Sequence, residues 1–184
     1  MNNITVVLET ITPLFLGGAD PRGKPELRAP SFRGALRYWL RALLGGFANF
    51  QDNEKLQRQE SEVFGSTDSK RGGASSVLIK CKLTEGEPQD NPYTKQRALQ
   101  FGGKYKPTGR DYLWWSMAES GRVDRGNYLP PKRYLPKGTL FELSLRTRLA
   151  NKDLSKEYLQ ASAALWCLVQ FGALGARSRR AANS

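Results

Sequence analysis

The chain has 184 residues, 39% of them apolar and 25% charged, with 29 Lys and Arg against 17 Asp and Glu for a net charge of +12. Those figures predict one globular domain large enough for a real core. The charge favours a polyanionic partner, nucleic acid first, although a basic ribosomal-type or membrane-surface protein shares it. Histidine is absent altogether, which removes the commonest general acid/base. With only two cysteines, far apart, an ordinary zinc site is excluded as well; no metal and no cofactor are expected. Cys81 and Cys167 lie among apolar neighbours (LIKCKL and LWCLV), the setting of buried thiols in a cytoplasmic protein. No segment approaches the roughly 18 consecutive apolar residues of a membrane span. The opening MNNITVVLETI has neither a basic region before its apolar run nor a cleavage signature, so neither membrane nor secretion is expected.

In chain order, Ile4 to Thr10 alternates (Ile4, Val6, Leu8) and predicts a first strand. A Gly/Pro-rich loop follows and runs into a helix with Ser31 as its N-cap and an end at Gly45-Gly46. Phe32, Leu36, Trp39, Leu40 and Leu43 form its buried stripe. Arg33, Arg37 and Arg41, four apart, line a neighbouring stripe with little acidic counterweight. That stripe is either a solvated basic face or a polyanion surface beside the free amides of the helix start. Asn53 to Phe64 predicts a second helix with Leu56, Val63 and Phe64 on one side, and residues 65–75 a turn-rich connection.

Ser76 to Leu83 is a strand with Val77, Ile79, Cys81 and Leu83 on one face and Lys80 and Lys82 on the other. Thr139 to Leu149 is another, with Phe141, Leu143 and Leu145 inward and Glu142, Ser144, Arg146 and Arg148 outward. A last helix, capped by Asp153 or Ser155, runs to Phe171 with Leu154, Tyr158, Ala161, Leu165 and Leu168 buried. The order strand, helix, strand, strand, helix is that of an α+β ferredoxin-like (RRM-like) split βαβ domain whose final strand is not evident. If the two later strands are neighbours, Lys80, Lys82, Arg146 and Arg148 make the open sheet face basic, as outer faces of half-buried sheets often are.

Residues 84–138 are too long for a hairpin and are expected as an insertion into one domain spanning 1–184. From Lys95 to Lys137 ten basic residues meet three acidic ones, and Tyr105, Tyr112, Trp114, Trp115, Tyr128 and Tyr134 are interleaved. Cations for phosphates beside rings for bases suit single-stranded RNA; alternatively Tyr112 to Trp115 forms a small satellite core. The end of the last helix leaves through FGALGARSRR, where Gly172 and Gly175 permit close backbone approach and Arg177, Arg179 and Arg180 supply charge.

Three pieces of this chain are similar to the RAMP superfamily of CRISPR type III effector complexes, and most to the first-numbered subunits of Cmr (type III-B) complexes. They are TPLFLGG with its approach PELRAPS, the helix SFRGALRYWLRALLGG, and LGARSRR; VFGS (Val63 to Ser66) fits a short motif after the second helix. The resemblance implies a non-catalytic RNA-binding domain near the head of a helical ribonucleoprotein. Its partners would be guide (CRISPR) RNA, target RNA and other RAMP subunits. It singles out Gly17, Gly18, Arg33, Arg37, Arg41, Gly175, Arg177, Ser178, Arg179 and Arg180 for RNA binding; Arg28 and Ser31, at the helix start, complete the candidate site. In the family pattern more glycine and a closing strand follow the arginine loop, whereas here only Ala-Ala-Asn-Ser follows Arg180. An open sheet edge beside the first strand, covered by a partner, is the expectation that follows. Two other readings remain: a RAMP-type endoribonuclease acting on guide or target RNA, with Asp20 or Asp111 supporting a metal, and a basic scaffold that binds acidic proteins.

Overall fold

In the computed structural model, residues 2–47, 52–68, 73–91, 115–120, 123–149 and 153–176 are described. Three strands, β1 (Asn3–Glu9), β2 (Val77–Glu85) and β3 (Leu140–Thr147), and three helices, α1 (Ala29–Phe47), α2 (Asn53–Phe64) and α3 (Ser155–Phe171), follow one another in the order β1, α1, α2, β2, β3, α3. The sheet order is β1-β3-β2. Its β1–β3 register runs antiparallel, because Thr147 N–H donates to Asn2 C=O at 3.0 Å at one end and Thr10 N–H to Thr139 C=O at 3.0 Å at the other. Arg148 N–H reaches Ser76 C=O at 2.8 Å and sets the β2 register in turn. The two later strands are therefore neighbours, the arrangement on which a basic outer face depended.

Alternation decides which sheet face is covered. Phe141, Leu143, Leu145 and Thr147 of β3 are buried, while Ile4, Val6 and Leu8 of the neighbouring β1 are half-buried. Burial fades along β2 after Ile79: Cys81 is half-buried and Leu83 exposed, so the inward row expected to reach Leu83 stops short. The opposite face carries Lys80, Lys82 and Arg146, and the register sets Glu142 across from Lys82 and Ser144 across from Thr5. The Ser144 and Thr5 hydroxyls lie 2.9 Å apart. That face is basic but interrupted by an acid and a hydroxyl pair.

The chain divides into two compact units. The first is drawn from Met1–Leu8, Arg28–Leu83 and Phe141–Gly172. Within it α1 packs on α2 and α3. Phe32, Leu36 and Leu40 of α1, Val63 and Phe64 of α2, and Ala161, Leu165 and Leu168 of α3 are all buried. Each fully buried Leu or Phe is worth about 1.5–3 kcal/mol, which is why these stripes dictate the packing. The ring of Phe32 lies 5.8 Å from that of Phe141. Trp39 and Leu43, expected in the same stripe, are only half-buried; they sit at its margin, where Trp39 meets Phe171 at 6.2 Å.

Two helix ends differ instructively. Asp52 caps α2, its carboxylate accepting from Glu54 N–H at 2.9 Å. Ser31 does not cap α1. That helix begins two residues earlier, and Arg28 C=O receives Ser31 N–H at 3.0 Å and Phe32 N–H at 3.5 Å. Pro30 tolerates this because its missing N–H belongs to the first turn, where donors have no helical partner.

The second unit is drawn from Glu9–Leu27, Thr84–Leu140 and Ala173–Ser184. Here Leu14 and Leu135 exchange two backbone hydrogen bonds of 2.9 Å, Phe15 packs on Tyr134 at 5.5 Å, and Leu14, Phe15, Met117 and Leu135 are buried. Its described part between β2 and β3 has paired residues (Gln89 with Tyr134, Ser120 with Leu129) and single 3-10 turns at Trp115–Met117 and Val123–Arg125. Residues 92–114, including Tyr105, Tyr112, Trp114, Asp111 and five of the ten basic positions, lie outside the described residues, as do Arg122 and the Trp115 side chain.

Candidate nucleic-acid interface

The expected site residues fall on both units, and each group is set by its own chemistry. In the second unit the opening loop is an anchored turn. Asp20 accepts Arg22 N–H at 2.9 Å, an Asx-turn that fixes Arg22 inward. The Arg22 guanidinium then donates to Ala118 C=O at 2.7 Å and Pro130 C=O at 2.9 Å, with Ser120 Oγ at 3.5 Å. Five donors in a rigid fork suit such carbonyl clustering. Lys132 is also here: burial first, and the Arg22 charge second, hold its ammonium below the usual lysine range. Gly17 is exposed with open space where a side chain would be; Gly18 is half-buried, with the Glu26 side chain lying against it.

The glycine-rich loop after α3 returns to this turn. Ala176 N–H donates to Phe15 C=O at 2.8 Å, and Gly175 takes φ +94°, a conformation that costs a residue with a Cβ about 1–2 kcal/mol. The backbones of TPLFLGG and LGAR, more than 150 residues apart in sequence, are thus hydrogen-bonded to each other. Arg177, Ser178, Arg179 and Arg180 lie outside the described residues.

In the first unit the arginine row of α1 has an acid that the sequence reading left out. Glu60 of α2, its side chain only 8% exposed, takes Arg37 Nη1 at 3.3 Å on one carboxylate oxygen and Arg41 Nη1 at 3.4 Å on the other. Arg37 Nη2 donates further to Phe64 C=O at 3.1 Å and to Gly65 C=O. The expectation of little acidic counterweight is therefore corrected. Arg37 (32% exposed) fastens α1 to the end of α2, while Arg41 (51% exposed) keeps an open side. Arg33 is half-buried, and its Nε has no hydrogen-bond partner among the described residues. Arg28 and Ser31 are exposed at the start of α1.

The VFGS stretch explains where those carbonyls come from. Val63 and Phe64 are core residues, and Gly65 turns out of α2 with φ +77°, so close that a Cβ would stand 2.8 Å from Gly73 O and Ser75 N. Ser66 and Gly73 then pair through two 3.1 Å bonds, and Ser76 N–H, at 3.1 Å, and Ser75 Oγ, at 3.0 Å, take the Val63 carbonyl. This leaves the Phe64 and Gly65 carbonyls for Arg37. A signal for Glu60 was present: it sits on the same helical face as Leu56, Val63 and Phe64, an acid in an apolar row. Arg22 had no comparable signal.

The chain belongs to the RAMP superfamily, whose model matches residues 7–180. It is 32% identical over 187 residues to CRISPR system Cmr subunit Cmr1-2 of Pyrococcus furiosus, an alignment covering 96% of this chain and 90% of that one. It is also 32% identical over 177 residues to Cmr1-1 of the same organism, again over 96% of this chain but 45% of the relative. The crystal structure of apo Cmr1 from P. furiosus superposes with a TM-score of 0.65 at 29% identity, over 98% of this chain and 47% of that one. A chain of a type IV-B CRISPR complex shares the fold, with a TM-score of 0.54 at 16% identity over 97% and 85% of the two chains. The chain thus spans less than half the length of Cmr1-1 and of the crystallised Cmr1.

Proposed function

We propose that this protein is a non-catalytic RNA-binding subunit of a Cmr-type, RNA-guided CRISPR effector complex, contacting guide or target RNA near its head. Its fold is read as ferredoxin-like: helices follow β1 and β3, and the order β1-β3-β2 leaves the place beside β1 for a fourth strand. The observation that carries the functional reading is the hydrogen bond from Ala176 to Phe15. It joins the two glycine loops, and Arg177, Arg179 and Arg180 follow Ala176 in the sequence. Backbone amides and arginines at one place hold phosphates without reading bases, which suits a protein whose RNA is read by pairing with other RNA. The net charge of +12 points the same way. The relatives named as Cmr subunits support the choice of complex.

The test is direct binding of a labelled single-stranded RNA of guide length to the purified chain. Replacing Arg177, Arg179 and Arg180 together by alanine is expected to weaken binding about a hundredfold or more, at about 1 kcal/mol or more per charge-assisted contact. The circular dichroism should not change. An affinity unaffected by the triple replacement would remove the arginine loop from the site.

A further inference from the structure

The C-terminal helix has more apolar surface than its own unit covers. From Tyr158 to Phe171, α3 contains no charged residue, although a quarter of the whole chain is charged. One side is buried through Ala161, Ala164, Leu165 and Leu168. The other leaves Leu159, Trp166, Val169 and Phe171 exposed. Its polar side chains after Tyr158 are Gln160, Ser162 and Gln170 alone, and a helix so largely apolar is ordinarily covered on more than one side. Across the α1–α3 contact the exposure continues as a chain of rings. Trp166 lies 5.6 Å from Phe171, Phe171 is 6.2 Å from Trp39, and Trp39 is 5.5 Å from Tyr38. Tyr38, Trp166 and Phe171 are 55%, 58% and 66% exposed, and the two outer contacts are edge-on, which holds the rings as a fixed platform.

We propose that this aromatic face of α1 and α3 docks an uncharged, apolar surface of a neighbouring protein subunit. The inference rests on the proposed role as a subunit of an effector complex and adds the surface by which the chain is held there. Charge selects the occupant. RNA needs cations beside the rings, yet neither α1 nor α3 has a basic residue in its last turn, and Arg37 and Arg41, which flank Tyr38 and Trp39 in sequence, are both engaged by Glu60. Protein interfaces have the opposite composition, with Trp, Tyr and Phe enriched and charges depleted at their centre. Open space beside Gly34 and Gly45 on α1 lets a partner come close to the helix backbone.

The experiment is reconstitution of the complex from this chain, the other subunits encoded with it and guide RNA, with incorporation read by native mass spectrometry. The double replacement Trp166→Ala, Phe171→Ala is expected to lower incorporation about tenfold or more, as truncated interface anchors do, while RNA affinity of the free chain is unchanged. Leu159→Glu, which puts a charge on the same face away from the rings, is expected to act alike, and it carries the test if the double variant melts early. Full incorporation of a folded variant would overturn the inference. So would loss of RNA affinity with incorporation retained, or a dimer of the free wild-type chain that the variants abolish. Failure of the wild-type chain itself to join the complex would overturn the proposed function and this inference together.

Discussion

The guanidinium of Arg37 gives one nitrogen to Glu60 and the other to the carbonyls of Phe64 and Gly65. A group so committed is worth more to the α1–α2 packing than to a phosphate. Removing Glu60 as Glu60→Gln would leave two arginines without their counter-charge. Breaking a fully buried pair costs about 3–5 kcal/mol, and since both arginines reach solvent the expected cost is about 1–3 kcal/mol in urea denaturation. Arg37→Lys should not restore stability, because a single ammonium cannot serve a carboxylate and two carbonyls in the plane of a fork. If Arg37→Ala lowered RNA affinity and left the denaturation midpoint where it was, the fastening role would be lost.

Among the elements, α3 shows most plainly what local chemistry sets and what it leaves open. Its start was legible only in part: the N-cap position falls on Leu154, which makes no side-chain cap bond, so neither Asp153 nor Ser155 is the cap. Instead Asp153 accepts Ser155 N–H at 3.0 Å and lies 2.6 Å from its hydroxyl, and the side-chain bond first, the backbone bond second, hold the carboxyl below its ordinary value of 3.8. A depressed carboxyl pKa means that the folded state binds fewer protons. This contribution is therefore complete above that ordinary value and is lost as the pH falls through the lower folded one. Far-ultraviolet circular dichroism on acid titration should show Asp153→Ala removing that part of the acid limb and lowering stability at neutral pH. A variant melting like the wild type at neutral pH would show the Asp153–Ser155 contact to be idle. The buried stripe was legible too, since Ala161, Leu165 and Leu168 recur at helical spacing. The outer face was not: an exposed Trp166 and a buried one have the same sequence pattern. The first helix was misread at its start for a related reason, because Ser31 has capping chemistry wherever it stands, while the fold places Arg28 at the position that a cap would occupy.

For the molecule as a whole, 29 basic residues against 17 acidic ones set the terms of any encounter with RNA. Binding dominated by phosphates should weaken linearly in log–log form as salt rises, by about 0.7 per phosphate neutralised on a single strand. It should also change little among unrelated RNA sequences. Affinity measured across a salt series with two such RNAs checks both. A flat salt response or a strong base preference would assign the charge to another purpose, such as an acidic protein partner.

Strand and helix positions, the covered face of β3 and the family membership were within reach of the sequence alone. Each rests on short-range periodicity, or on short motifs whose order survives in the linear chain. Val77, Ile79, Phe141, Leu143 and Leu145 could be assigned inward because alternation is a property of the strand itself. Only the tertiary structure brought Ala176 to Phe15, closed Glu60 on Arg37 and Arg41, tied Arg22 of the opening loop to Ala118 and Pro130, and left one side of α3 bare. Those are contacts between residues far apart along the chain, fixed by which faces pack together. The same Arg-x-x-x-Arg-x-x-x-Arg spacing serves a phosphate or a carboxylate equally well, until the fold decides which anion stands beside it.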